Sequence, residues 1–92
     1  MIRIIDGKTF NTDTAALIAQ WDNSDTHNPS DFLFERVCIY KSKAGACFSV
    51  TYTPLRGKCM RLLSDVEILA VAEKIENARF VLDNFPALIV EG

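Results

Sequence analysis

Two apolar runs separated by a short polar turn constrain this chain more than any other feature. Phe34-Glu35-Arg36-Val37-Cys38-Ile39-Tyr40 and Ala46-Cys47-Phe48-Ser49-Val50-Thr51-Tyr52 are rich in β-branched and aromatic side chains, which suit a pleated, half-buried surface. Between them, Ser42-Lys43-Ala44-Gly45 supplies a three-residue loop with a glycine for the left-handed position of a bulged hairpin. That loop sets the register: Tyr40 opposite Phe48, Cys38 opposite Val50, Arg36 opposite Tyr52. Side chains alternate along a strand, so one face carries Phe34, Cys38, Tyr40, Phe48, Val50 and Tyr52. The other carries Glu35, Val37, Ile39, Lys41, Cys47, Ser49, Thr51 and Thr53. The first face is expected to pack on helices. The second is half polar, and its patch at Val37 and Ile39 is expected to serve as a dimer face.

The flanking segments carry their own signals. Asp6-Gly7 lies between the short apolar stretches Ile2–Ile5 and Lys8–Phe10 and predicts a tight opening hairpin. Asn11 or Thr12 can cap a helix, and Ala15, Leu17, Ile18 and Trp21 recur at helical spacing, so a helix is expected up to Asp22. Residues 22–30 are polar and read as an exposed loop. Pro54 and Gly57 bracket a turn before a further strand, Lys58–Leu62. Ser64-Asp65-Val66-Glu67 is a capping box, and Leu63 and Ile68 hold the positions of a hydrophobic staple. The helix it opens has an apolar stripe of Ile68, Val71, Ile75, Ala78, Leu82 and Phe85. Asn77 is a candidate cap for a second, shorter helix inside that span. Pro86 ends the helical stretch. Ala87 to Val90 forms an apolar tail for a last strand or a partner contact. The expectation is one α+β domain over residues 1–92: a two-layer antiparallel sheet with helices on one face, in the order β-β-α-β-β-β-α.

The reactive side chains are few. His27 is the lone histidine, and the three cysteines, Cys38, Cys47 and Cys59, form no CxxC pair. That excludes the usual spacing of a zinc site and leaves no even set for a disulfide framework, so reduced, packed thiols are expected. Asp22, Asp25 and Asp31 match no calcium-loop spacing. No nucleophile-elbow, phosphate-loop or dinucleotide-binding motif occurs. An enzyme is therefore not expected, nor a cofactor or metal. No apolar run is long enough to cross a bilayer, and the first residues lack a signal-peptide layout, so a cytoplasmic location without membrane contact is expected.

Charge is unevenly distributed. The net charge is −2. Residues 31–61 set six basic side chains against Asp31 and Glu35, for +4, whereas residues 62–92 carry −4. Two candidate surfaces follow. Glu67, Glu73, Glu76 and Asp83 form an acidic set for a basic protein partner. Arg36, Lys41, Lys43, Arg56, Lys58 and Arg61, with Tyr40, Phe48 and Tyr52 nearby, form a basic set for phosphates and bases.

The string Ile4-Ile5-Asp6-Gly7-Lys8-Thr9-Phe10-Asn11-Thr12-Asp13-Thr14-Ala15 resembles the I-I-[DN]-G-K-x-[FY]-[DN]-T-[DE]-T-A opening of a family of small proteins of bacteriophages and mobile elements. Trp21, Ile39-Tyr40-Lys41, Lys43-Ala44-Gly45 and Leu63-Ser64-Asp65-Val66-Glu67 continue the likeness over most of the chain. Pro54-Leu55-Arg56-Gly57 stands where such proteins have a longer glycine-rich segment, and Asn77 to Phe85 is more apolar than their acidic ending. The resemblance implies a phage accessory protein in the cytoplasm of a host bacterium. It further implies a counter-defence role of the anti-CRISPR kind, inhibiting a host protein or ribonucleoprotein complex by direct contact. The alternative is a module for nucleic acid or a signalling nucleotide, using the basic hairpin.

Overall fold

A computed structural model describes residues 1–90. It is α+β, with six strands preceding two helices: β1 (Ile2–Ile5), β2 (Lys8–Asn11), β3 (Ala16–Asp22), β4 (Arg36–Lys41), β5 (Cys47–Thr53), β6 (Gly57–Leu62), α1 (Asp65–Lys74) and α2 (Arg79–Asn84). A single 3-10 turn, Pro86–Leu88, follows. β1 and β2 form a two-stranded sheet, and β3 to β6 form an antiparallel meander of four strands.

The local signals of the hairpins hold. Asp6 and Gly7 both take positive φ, 51° and 75°, the backbone of a primed turn that matches strand twist. The β4–β5 register pairs Tyr40 with Phe48, Cys38 with Val50 and Arg36 with Tyr52. Gly45 sits at φ 91° in its loop, and the Ser42 hydroxyl accepts the Ala46 amide at 3.0 Å.

The segment expected as the first helix is instead β3, paired with β4, so the order β-β-α-β-β-β-α is corrected to six strands and then two helices. Its helical spacing comes from a bulge. The register shifts between Leu17 and Ala19, so Ile18 is an extra residue opposite β4. Ile18, Ala19 and Trp21 therefore pack on one side of the sheet, and Ala15 reaches a different apolar cluster. The capping signal at Asn11 is real but closes only a turn. The Asn11 side chain accepts the Asp13 amide, and its carbonyl accepts the Ala15 amide.

The two faces of the sheet are covered the opposite way from the expectation. Val37, Ile39 and Cys47 lie beneath the helices with Ile68, Ala72, Phe80 and Val81. Val37 is 7% exposed and Ile39 1%, so the patch assigned to a dimer face is core within one chain. The tail is also engaged, since Leu88 and Ile89 pack against this same cluster. The aromatic face receives the β1–β2 hairpin. Phe10 meets Phe48 with ring centroids 5.6 Å apart, and Tyr40 stacks on Phe48 at 5.3 Å. A lone two-stranded hairpin is marginal in water, and this aromatic face is the apolar surface that stabilises it.

The capping box forms. The Ser64 hydroxyl accepts the Glu67 amide, and the Glu67 carboxylate accepts the Ser64 amide. The long helical stretch is broken in two by a Schellman arrangement. The Asn77 amide bonds the Ala72 carbonyl, and the Glu76 amide bonds the Glu73 carbonyl. The Asn77 side chain then accepts the Arg79 amide at 3.0 Å, at the start of α2. Lys41 ties the sheet to the far end of that helix. Its Nζ donates to the Asn84 carbonyl at 3.0 Å and lies 5.2 Å from the Phe85 ring centre, where the helix dipole favours a cation.

Glu76 holds φ 52° at the position where helices usually place glycine. A β-carbon is strained in that conformation. Glu76→Gly should raise unfolding stability by about 0.5–1 kcal/mol. Urea unfolding of the two proteins measures it, and a loss of stability would contradict the geometry.

Candidate functional site

The acidic set does not form one free surface. Glu67 is held in the capping box and paired with Arg61. The Ser64 amide, and then the Ser64 hydroxyl, hold its carboxyl below the ordinary range, with Arg61 adding to the effect. Asp83 pairs with Arg79 at 3.2 Å, one helical turn away. Glu73 and Glu76 are exposed and make no ion pair among the described residues.

The basic set is divided between both faces and both ends of the sheet. Lys41 is bound to α2, and Arg61 to Glu67. Lys43 stands at the tip of the β4–β5 hairpin and Arg56 in the opposite turn. Only Arg36 and Lys58 come together. Both pair in register with Tyr52, one from each neighbouring strand. Arg36 also lies over the Phe34 ring at 5.5 Å and 3.9 Å from the Asp22 carboxylate.

These two bases border a cleft of about 700 Å³ on the aromatic face, where the opening hairpin leaves the sheet uncovered. Cys38, Tyr40, Val50 and Tyr52 form its floor, with Gln20 on one side. Phe34 and Pro29 border it from the long loop, and Met1, Thr12 and Asp13 from the N-terminal segment. Burial raises the Tyr40 hydroxyl above its ordinary range, with Cys38 and Asp13 adding smaller effects. Nothing in the sequence marks Gln20, because the helical apolar spacing around it hides a bulged strand in which it stands beside Cys38.

The long loop is ordered by Asn23. Its side chain accepts the Glu35 amide at 2.8 Å and donates to the Leu33 carbonyl at 3.0 Å. His27 and Asp31 meet at 3.4 Å within it, and the Leu33 amide, foremost, lowers the Asp31 carboxyl. The loop presents Phe32 at 67% exposure, and the β5–β6 turn presents Leu55 at 76%. The two line one hollow with Glu35, Arg56 and Cys59. The sequence carries a signal for Leu55, a large apolar residue inside the turn bracketed by Pro54 and Gly57, whereas Phe32 lies beyond residues 22–30 and next to the first apolar run, where nothing marks it as exposed.

Among the described residues no group of three or more His, Cys, Asp or Glu side chains is placed to hold a metal ion. Nor, among them, is any helix long and apolar enough to cross a membrane. Asp22 accepts the Ser24 amide, and Asp31 the Leu33 amide, so each is engaged locally. Burial pushes the Cys47 thiol up to about 11, which suppresses the thiolate a nucleophile needs. No family model, curated protein or solved structure matches this chain.

The Glu67 carboxyl gives a pH test of the helix start. Its folded pKa is depressed, so its charge stabilises the fold above the unfolded value and ceases to do so as pH falls through the folded one. Glu67→Gln removes the charge but can keep the cap. Its melting temperature should lie below that of the parent at about pH 7, and the gap should close as pH falls through the depressed folded pKa of Glu67. A gap that persists in acid would mean that the charge is not what Glu67 contributes.

Proposed function

We propose that this chain is a non-catalytic binding domain that docks on another protein through the end of the sheet where Phe32 and Leu55 meet. The observation that carries this reading is the pair of large apolar side chains left in water on one hollow. Burying each of them on a partner would contribute about 1.5–3 kcal/mol before the costs of association. Leu33, also exposed, continues the apolar surface along the chain. Glu35 and Arg56 give the hollow a polar rim, and a buried aromatic anchor beside an arginine is a common composition for the centre of an interface. The partner that fits has an apolar pocket with an acidic group beside it to meet Arg56.

The phage-like opening string supports placing that partner in a host defence or regulatory complex, which docking would inhibit. The acidic side of the helices contributes less to this reading than the sequence implied, because Arg61 and Arg79 already neutralise Glu67 and Asp83.

Leu55→Asp and Phe32→Ser should each reduce recovery of a partner from host lysate by at least about tenfold, since each removes a buried anchor. Both positions are exposed, so the melting temperature should change little. Glu73→Lys with Glu76→Lys should leave recovery intact. Loss of the partner in that double variant, with retention in Leu55→Asp, would move the interface to the helices.

A further inference from the structure

The cleft on the aromatic face is a second feature, independent of the docking end. The four-stranded sheet gives it an ordered floor. Asp22, Arg36, Tyr52 and Lys58 are register neighbours across the four strands. One row inward lie Gln20, Cys38, Val50 and Met60, and the row beyond holds Tyr40 beside Phe48. Successive rows on one face are about 7 Å apart, so Tyr52 and Tyr40 stand about 13 Å apart along the strands. Two cations therefore sit at one end of an apolar floor, with an amide side chain partway along and a second tyrosine at the other end.

We infer that this cleft binds a mononucleotide. Arg36 and Lys58 hold its phosphate on either side of Tyr52. The base lies over Cys38 and Val50 toward Tyr40, and the Gln20 amide reaches its edge. Phosphate requires cationic donors, and Arg36 and Lys58 can converge on one anion from the two strands that flank β5. A base requires a flat apolar bed with a polar group at its rim. The cleft volume, about 700 Å³, lies within the span usual for small-ligand sites. Pro29 and Phe34 border one side, and Met1 and Thr12 another. Those borders favour a single nucleotide over a continuous strand. Asp13 and the Asp22 partner of Arg36 oppose the phosphate charge, so binding is of moderate strength.

Amide chemical-shift mapping with AMP, GMP, CMP and UMP tests this, with inorganic phosphate and short oligonucleotides alongside. At least one mononucleotide should bind saturably, with a dissociation constant of about 10 μM to 1 mM, given its size and the opposing carboxylates. The shifts should centre on Arg36, Cys38, Tyr52 and Lys58. Lys58→Glu should weaken binding by at least about tenfold, the worth of one charged contact. Lys43→Glu, with the same change in net charge at the distant hairpin tip, should leave the affinity within about twofold. Four results would overturn the inference: no saturable shifts with any nucleotide, phosphate alone binding as tightly, affinity that climbs with oligonucleotide length, or equal losses in the two lysine variants. Thermal melting of Lys58→Glu, whose site is exposed, separates lost binding from lost folding.

Discussion

Everything in this molecule follows from a shortage of cover for its central sheet. Four strands expose two faces, and both carry apolar side chains. One face is covered by two short helices, the other by a single hairpin. Phe48, fully buried, marks where the hairpin cover is complete, between Phe10 and Tyr40. Four residues further along the same strand, Tyr52 is only half-buried, because the hairpin does not reach it. The open end of that face is the cleft. On the other face, Thr51, Thr53 and Cys59 line the hollow of Phe32 and Leu55, outside the buried core of Ile68, Ala72, Phe80 and Val81. Both candidate sites are therefore places where the described elements leave the sheet open.

The division of labour between local and tertiary effects explains which parts of this were legible in the sequence. Turn chemistry is local, so Asp6-Gly7 and Ser42–Gly45 announced their hairpins, and the loop length alone set the β4–β5 register. The capping box is local too, and Ser64 and Glu67 make both of its bonds. The break at Glu76 and Asn77 was half legible: Asn77 is a capping residue, whereas Glu76 in a left-handed conformation carries no sequence mark. Tertiary choices were not readable. The bulge at Ile18 gave a strand the apolar spacing of a helix. The choice of face turned on which partner could bury which side chains, and the aromatic face was claimed by a hairpin instead of a helix.

The same distinction governs the functional residues. Composition placed six basic side chains in the middle third of the chain, and the fold disperses them. Two become structural, through Asn84 for Lys41 and Glu67 for Arg61. Two occupy opposite turns. Only Arg36 and Lys58 remain adjacent, through their shared neighbour Tyr52. A cluster in sequence is a cluster in space only when the strands bring the same face and the same end together. The acidic third is thinned likewise, since two of its four candidate carboxylates already have cationic partners on the surface.

The cysteines report directly on which parts of the sheet are covered, because each samples a different environment. Cys47 is buried beneath the helices, Cys38 lies half-buried on the floor of the open cleft, and Cys59 is exposed on the edge strand. Alkylation of the native protein, followed thiol by thiol by mass spectrometry, should modify Cys59 first, Cys38 more slowly, and Cys47 only on unfolding. A Cys47 that reacts as fast as Cys59, or a Cys38 as protected as Cys47, would contradict the account.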